Sequence, residues 1–496
     1  WRLKITINYY AISTELVIIA TLVISIFLDL LLPRKSKYLI AAFALLGTLV
    51  SLVPLLIHWI SYTSAIYVFQ DSYVIDKFSI ILKGLFIIIT YITFLLSINF
   101  IESDEYYQGE YYFLLLSSLL GALVICSSRD LLTIFIGIEL ASTPMFLLSG
   151  WKKGDRKSNE GAIKFFLLGV LSASLILYGF SLLYGLTGNL LFNEISKQIL
   201  TSSLENSPVV LLSAVLVISG LGFKVSTVPF HSWAPDTYEG APLPVTAYLS
   251  VSSKAAGFVA LILLMTSVYG ISGSSWGIIL FLVAGMTMTL GNLVALQQSN
   301  PVRLLAYSSI AQAGFIISPI AVSGITGNYE EGIFASVTYL IIYAFMNLGA
   351  FLCVQVLIRF TGSEDIYKWS GVAKSSPFIG VLTTLFFFSL AGVPPLGGWF
   401  AKFVVFRSLL GSGQTIGVIL GIVGAVNAVI SLVYYARISK IIWMDEQVQE
   451  YSEKNMLIEN PIKVVGLITV FITVLSGIFP GIFSNLGDIA STFLNN

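Results

Sequence analysis

The sequence predicts an all-α, polytopic membrane protein of about fourteen transmembrane helices, with two inverted five-helix repeats that each contain a broken helix. Three observations predict it. Hydrophobic residues make up 56% of the 496, and charged residues only 10%. An ordinary soluble domain carries about 25% charged residues, and no soluble fold hides this much apolar surface. The apolar residues run in stretches close to the ~20 needed to cross a hydrocarbon core. Two of those runs are interrupted by similar segments, VPFHSW at 228–233 and VPPLGGW at 393–399.

Composition excludes several function classes. A soluble enzyme and a disordered chain do not have this balance. The 26 basic and 26 acidic residues cancel, so nothing draws the protein to nucleic-acid phosphate. Cys126 and Cys353 lie far apart in apolar runs, and no Cys-x-x-Cys or Cys/His cluster occurs. The chain is therefore expected to hold no cofactor and no metal, with both thiols packed as small hydrophobes.

The spans follow in order. Apolar runs read as helices at 11–32, 38–60, 78–100, 111–128, 130–150, 160–186, 208–230, 242–270, 274–297, 302–324, 331–359, 375–410, 415–443 and 461–484. Residues 1–32 lack the basic region, short core and small-residue cleavage site of a secretory leader in sequence, so 11–32 reads as a span and not as a cleaved signal. The run at 208–230 leads into Pro229 and Pro235. The run at 375–410 is too long for one straight helix and contains Pro394, Pro395, Gly397 and Gly398. Both read as broken helices, the usual place for ion sites in transporters.

Five spans per unit put each break in the fourth span of its unit. The expected organisation is three N-terminal helices (1–110), a first repeat (111–270), a second repeat (274–443) and a C-terminal helix (461–496). Five is odd, so the second unit is expected to be inverted relative to the first. With fourteen spans, 15 basic residues fall in loops on one face and 5 on the other, the terminal face. The positive-inside rule then places both termini outside the cytoplasm.

Six basic residues remain inside spans: Lys83, Lys164, Lys224, Lys254, Lys402 and Arg407. Glu139 joins them in the middle of 130–150. A charge at mid-membrane costs several kcal/mol unless it is paired or hydrated. Lys83 and Arg407 stand near span ends, where long side chains reach for the interface. Glu139 has no acid or base within eight positions, so its partner must come from another helix. Lys224 and Lys402 flank the two breaks. Lys254 sits among small residues, and Lys164 stands nearer a membrane surface. A carboxylate offsets the cost of a buried ammonium. A Lys–Glu pair whose separation changes therefore takes up and releases a proton. His231 falls in the first break, where it is either a proton shuttle or a hydrogen-bonding cap. His58 reads as interfacial.

Four segments carry a resemblance. DLLTIFIGIELASTPMFLL (130–148), GFKVSTVPFHSWAPDTYEGAPLPVTAYLSVSSKAAG (222–257), RLLAYSSIAQAG (303–314) and AGVPPLGGWFAKF (391–403) occur in this order. Together they resemble the antiporter-like membrane subunits of complex I, the NADH–quinone oxidoreductases. Lys402 within AKF resembles the subunit N type more than the subunit M type, which has a glutamate there.

The resemblance implies proton pumping without a redox centre in this chain. It implies a pair formed by Glu139 and Lys224, a tuning lysine at Lys164, and passage along a hydrated axis through Lys254 toward Lys402, with His231 at the first break. It places flavin, iron–sulfur clusters, NAD and quinone in partner subunits. The implied partners are other complex I membrane subunits, a subunit M type and the small K, J and A types, with the lipid bilayer, water and protons. The implied location is a bacterial plasma (inner) membrane, with a thylakoid-type membrane as the alternative. Two other readings stay open: a subunit of a stand-alone Mrp-type cation/proton antiporter, and a structural spacer whose lysines are merely paired. The charged segments 101–112 and 442–461 read as solvated faces or subunit contacts.

Overall fold

A computed structural model describes residues 8–33, 36–102, 109–447 and 459–495. Arg2, Lys4, Arg34, Lys35 and Lys454, which entered the orientation argument, lie outside the described residues. So do positions 103–108 and 448–458 of the two charged segments.

Twenty α-helices among the described residues carry the fold. The N-terminal group is α1 (Ser13–Leu31), α2 (Tyr38–Ile60) and α3 (Lys77–Glu102). Next come α4 (Glu110–Ser127), α5 (Leu131–Ser149), α6 (Arg156–Thr187) and the short α7 (Phe192–Thr201). The first broken span is α8 (Pro208–Lys224) followed by α9 (Trp233–Gly240). α10 (Leu243–Tyr248), a π-helical turn (Leu249–Ser253) and α11 (Lys254–Ser267) form one continuous rod. Then follow α12 (Gly273–Ala295), α13 (Pro301–Thr326), α14 (Tyr329–Thr361) and the single turn α15 (Val372–Ser375). The second broken span is α16 (Pro377–Ala391) and α17 (Gly397–Gly411). The chain closes with α18 (Thr415–Met444), α19 (Asn460–Ile478) and α20 (Gly481–Ser491).

Twelve of these rods are long and apolar enough to cross a membrane, and α8 and α16 are shorter apolar helices. With those two broken spans, the helices match the fourteen expected runs within a few residues. The chain is a polytopic helical membrane protein. Two details differ from the expectation. The last run, read as 461–484, ends at Ile478 because Pro480 follows, and α20 starts anew. A small antiparallel hairpin, β1 (Ile66–Val68) and β2 (Tyr73–Ile75), joins α2 to α3.

Local sequence explains the helix ends that matter. Asp130 caps α5 by accepting from the Leu132 and Thr133 amides at 2.8 and 2.9 Å. Such a cap satisfies donors that have no partner within the helix. Asn300 caps α13 in the same way, with Pro301 at its first position. At the first break Ser226 takes a left-handed φ of +58°, and Val228–Pro229 is cis. At the second, Gly392 takes a φ of +93°, and Pro394–Pro395 is cis. The left-handed conformation at Gly392 suits a residue without a Cβ.

Burial follows the layout. α11, α13 and α14 are buried along nearly their whole length, whereas α1, α2, α6 and α18 present broad apolar faces to the outside. Non-helical backbone at membrane depth is tolerated only where protein or water surrounds it. Around the first break, Lys224, Val225, Ser226, Thr227 and Val228 are all buried.

Candidate functional site: a line of buried lysines

The site begins between α5 and α8. Lys224 ends α8 at the first break, and its ammonium lies 3.2 Å from Glu139 Oε1. It also donates to Ser142 Oγ at 2.9 Å. Ser142 stands one turn beyond Glu139 on α5, so both face Lys224. The Phe146 ring, a further turn along, lies 5.8 Å below the ammonium. The Lys224 side chain is 6% exposed and that of Glu139 30%. The lysine is thus the inner member of the pair and the carboxylate the outer one.

Lys224 leads to α11. Gly257 is packed so closely that an added Cβ would sit 3.2 Å from Lys224 Cβ and 2.8 Å from Val225 Cγ1. Lys254 precedes Gly257 by three residues and so shares its helix face. The absence of a side chain at 257 lets α8 approach beside the second lysine. Lys254 opens α11 directly after the π-helical turn. π-bulges shift the register of all later side chains and concentrate at functional sites.

Lys254 donates to Ser309 Oγ on α13 at 2.7 Å, and its ammonium lies 5.8 Å from the Tyr238 ring centre. Gln312 is three residues beyond Ser309, on the same face of α13. Its amide donates to the Leu390 carbonyl at 3.1 Å, and its oxygen accepts from the Tyr339 hydroxyl. The neighbouring Ala391 carbonyl accepts from Lys402 at 2.7 Å. Gln312 and Lys402 therefore meet at the last turn of α16. Among the described residues, no carboxylate lies within ion-pairing distance of Lys254 or Lys402. The result is a polar line that runs inward from the partly exposed Glu139 to buried Lys224, Lys254, Ser309, Gln312 and Lys402.

Lys164 lies elsewhere. It pairs with Glu160 at 2.8 Å and Asp236 at 2.6 Å, and its side chain is 43% exposed. Asp236 and Glu239 both bind Arg303, at 2.9 and 2.7 Å, and Lys157 completes the network on Glu239 at 2.7 Å. These ion pairs fasten α9, the far half of the broken span, to α6 and α13. No ion pair joins Lys164 to Glu139 among the described residues. His231 is half-buried in the break, and its Nδ1 has no hydrogen-bond partner among the described residues.

Two side chains depart from the sequence expectation. Lys83 does not reach for the interface: its ammonium lies 2.8 Å from Glu15 Oε1, with side chains 3% and 6% exposed. α1 and the hairpin cover it, which position along α3 could not reveal. His58, read as interfacial, is buried. Arg407 remains half-exposed and pairs with Glu331 at 3.2 Å. Ser142, Ser309, Gln312, Tyr339, Asp236, Glu239 and Arg303 were not singled out from sequence. Each lies within a quoted segment except Tyr339, yet their partners are more than 20 positions away along the chain, save that Ser142 also shares a helix with Glu139.

Comparison with known proteins decides the family. Residues 128–428 match the family model described as NADH:quinone oxidoreductase/Mrp antiporter, TM. The chain belongs to this NADH:quinone oxidoreductase/Mrp antiporter family. Among its relatives, NAD(P)H-quinone oxidoreductase subunit 2 of the Mesostigma viride chloroplast is 37% identical, over 96% of this chain and 94% of that one. NADH-quinone oxidoreductase subunit N of Desulfitobacterium hafniense is also 37% identical, over 95% of each chain. A chain of respiratory complex I from Thermus thermophilus is similar in structure, with a TM-score of 0.78 and 26% identity, covering 95% of this chain and 98% of that one. A chain of the Mrp complex from Dietzia sp. DQ12-45-1b shares the fold, with a TM-score of 0.84 at 19% identity. The family match spans Glu139, Lys224, Lys254 and Lys402, and so the whole buried line.

Proposed function

We propose that this antiporter-like chain translocates protons as a non-redox membrane subunit of an NAD(P)H–quinone oxidoreductase. The single observation that carries the reading is the buried line from the Glu139–Lys224 pair through Lys254 to Lys402. Four ionisable groups kept at membrane depth are costly, and here they follow one another along adjoining helices with Ser142, Ser309, Gln312 and Tyr339 beside them. Full-length similarity to subunit N and subunit 2 chains supports the choice of enzyme.

The chemistry is proton exchange between charged and neutral amines. When the Glu139–Lys224 contact is closed, the carboxylate favours the ammonium form of Lys224. When it opens, burial favours the amine, and the proton leaves toward Lys254. Ser309, the Gln312–Tyr339 pair and water filling between them supply hydrogen-bond steps toward Lys402. The ion pairs around Asp236 and Glu239 hold α9 in place, so Lys164 tunes the first pair through the position of the break. His231, half-buried beside that break, shuttles a proton there in this reading.

Electron transfer belongs to partner subunits in this reading, with flavin, iron–sulfur clusters, NAD and quinone bound there. The partners are a second antiporter-like subunit of the M type and the small K, J and A types. The membrane is a bacterial inner membrane or a thylakoid-type membrane, with both termini on the non-cytoplasmic side. The two units 111–270 and 274–443 act as inverted repeats around the two breaks.

The test uses vesicles that carry the assembled complex. Lys224→Ala is expected to keep quinone reduction while proton uptake into the vesicles collapses. Full proton uptake in that variant would leave only a spacer role. Sodium-stimulated proton exchange by a preparation without flavin or iron–sulfur subunits would move the chain to a stand-alone antiporter.

A further inference from the structure

The N-terminal helices hold a second buried Lys–Glu pair that lies apart from the line of lysines. Lys83 on α3 lies 2.8 Å from Glu15 Oε1 on α1, and it donates to the Tyr73 hydroxyl on β2 at 2.9 Å. Its ammonium stands 4.9 Å from the Tyr73 ring centre. Glu15 also faces the Tyr73 hydroxyl. The pair is better buried than Glu139–Lys224, whose carboxylate is 30% exposed. Two charges taken this far out of water regain only part of their solvation from each other.

The surroundings suit exchange rather than a static clamp. His58 on α2 lies within electrostatic reach of both Lys83 and Glu15. Its Nε2 is 3.2 Å from Ser13 Oγ, and the ring also meets the Tyr10 backbone. The Tyr10 ring packs edge-on over the imidazole at 4.3 Å. The Tyr10 hydroxyl is exposed and pairs with Ser61 Oγ at 2.7 Å. A titratable imidazole therefore separates the pair from one membrane face by the thickness of one tyrosine. The other groups facing the pair are the Cys126 thiol on α4 and the Asp76–Arg129 ion pair at 2.5 Å.

We propose that Glu15 and Lys83 form a second proton-exchanging site, filled from the Tyr10–Ser61 face through His58. The proton on Lys83 Nζ passes to Glu15 Oε1 across their 2.8 Å contact: one N–H bond breaks, one O–H bond forms, and amine and acid are both neutral. The amine then takes a second proton delivered by His58, and the site has gained one. α3 packs against α10 and against the π-helical turn that precedes Lys254, so the gained charge is felt at the middle of the buried line.

The test is infrared spectroscopy of the purified, assembled complex titrated with acid. Glu15→Gln is expected to remove one protonated-carboxyl band that appears on acidification in the wild type. Lys83→Met is expected to shift the pH at which that band appears, and His58→Gln to shift it less. An unchanged set of carboxyl bands in Glu15→Gln overturns the proposal. Should that variant fail to assemble, Glu15→Asp carries the same test. Its shorter side chain lengthens the contact with Lys83, so the band must move in frequency and in pH, and an unmoved band overturns the site. None of these readouts depends on proton pumping, so the result stands apart from that for the Glu139–Lys224 line.

Discussion

The two broken spans are built alike and equipped differently. Each ends a helix at a Val-Pro segment and places a buried lysine beside the break. At the first, Lys224 has a carboxylate partner, Glu139, and a hydroxyl partner, Ser142. At the second, among the described residues, Lys402 has only the Ala391 carbonyl as a hydrogen-bond partner and lies 5.2 Å from the Phe315 ring centre. A lysine with an adjustable carboxylate exchanges its proton on demand. One facing a carbonyl dipole has no counter-charge to hold it. Under the proposed function, the contrast fits capture at the first break and release at the second.

The sharpest way to break that comparison is charge reversal. Lys224→Glu sets two carboxylates facing each other, so that one of them holds a proton in place of releasing it. Proton uptake by vesicles is expected to fall about a hundredfold, equivalent to roughly 3 kcal/mol on the limiting step. Lys402→Glu meets no carboxylate, and a loss of about tenfold or less is expected. Equal losses at the two positions would mean that the breaks play the same part.

Glu139→Gln comes next. It leaves Lys224 without its anion but keeps the volume of the side chain. Removing one partner of a well-buried pair costs about 3–5 kcal/mol, and the 30% exposure of Glu139 reduces that by solvent screening. Proton uptake is expected to fall about tenfold, with quinone reduction retained. Wild-type uptake would leave Lys224 without need of a partner.

Gly392→Ala probes the second break through its backbone. The φ of +93° is unfavourable for alanine, and the new Cβ would lie 2.9 Å from Lys402 Cδ. A stability loss of about 1–3 kcal/mol is expected, read as a lower melting temperature of the purified complex. A melting temperature equal to that of the wild type would show that Lys402 moves aside freely.

The smallest effect belongs to hydroxyls. Ser142→Ala and Ser309→Ala each remove one hydrogen bond to a buried ammonium. A typical loss is about 1.5–3 kcal/mol where the group is charged and no water replaces the hydroxyl. Water entering the vacated space lowers that, so a two- to five-fold drop in proton uptake is expected. Ser309→Ala should cost more, because Lys254 has no carboxylate to fall back on. The reverse order would place the dominant counter-charge away from Glu139.

Much of the fold was legible because hydropathy is a local property. Each span needs only its own twenty-odd residues to declare itself, and a proline breaks a helix wherever it stands. The buried charges stood out for the same reason, since a chain with 10% charge has few to place. Partners were not legible in the same way. Lys83 and Arg407 looked equivalent near their span ends, yet α1 covers the first with Glu15 while the second keeps half its surface. Lys164 and Lys224 looked like neighbours of one glutamate, yet Asp236 claims Lys164.

By itself the sequence determined the class of molecule, the number of crossings, the two breaks and the small set of ionisable groups at depth. The tertiary structure decided which of those groups meet. It set Lys224 against Glu139, Lys254 against Ser309 and Gln312 beside Lys402, and it sealed Lys83 with Glu15. The physical reason is geometric. A side chain's depth follows from its position along one helix, but its partner depends on the rotation and spacing of two. A π-helical turn, a missing Cβ at Gly257 or a hairpin laid over α3 changes both without altering the hydropathy of any span.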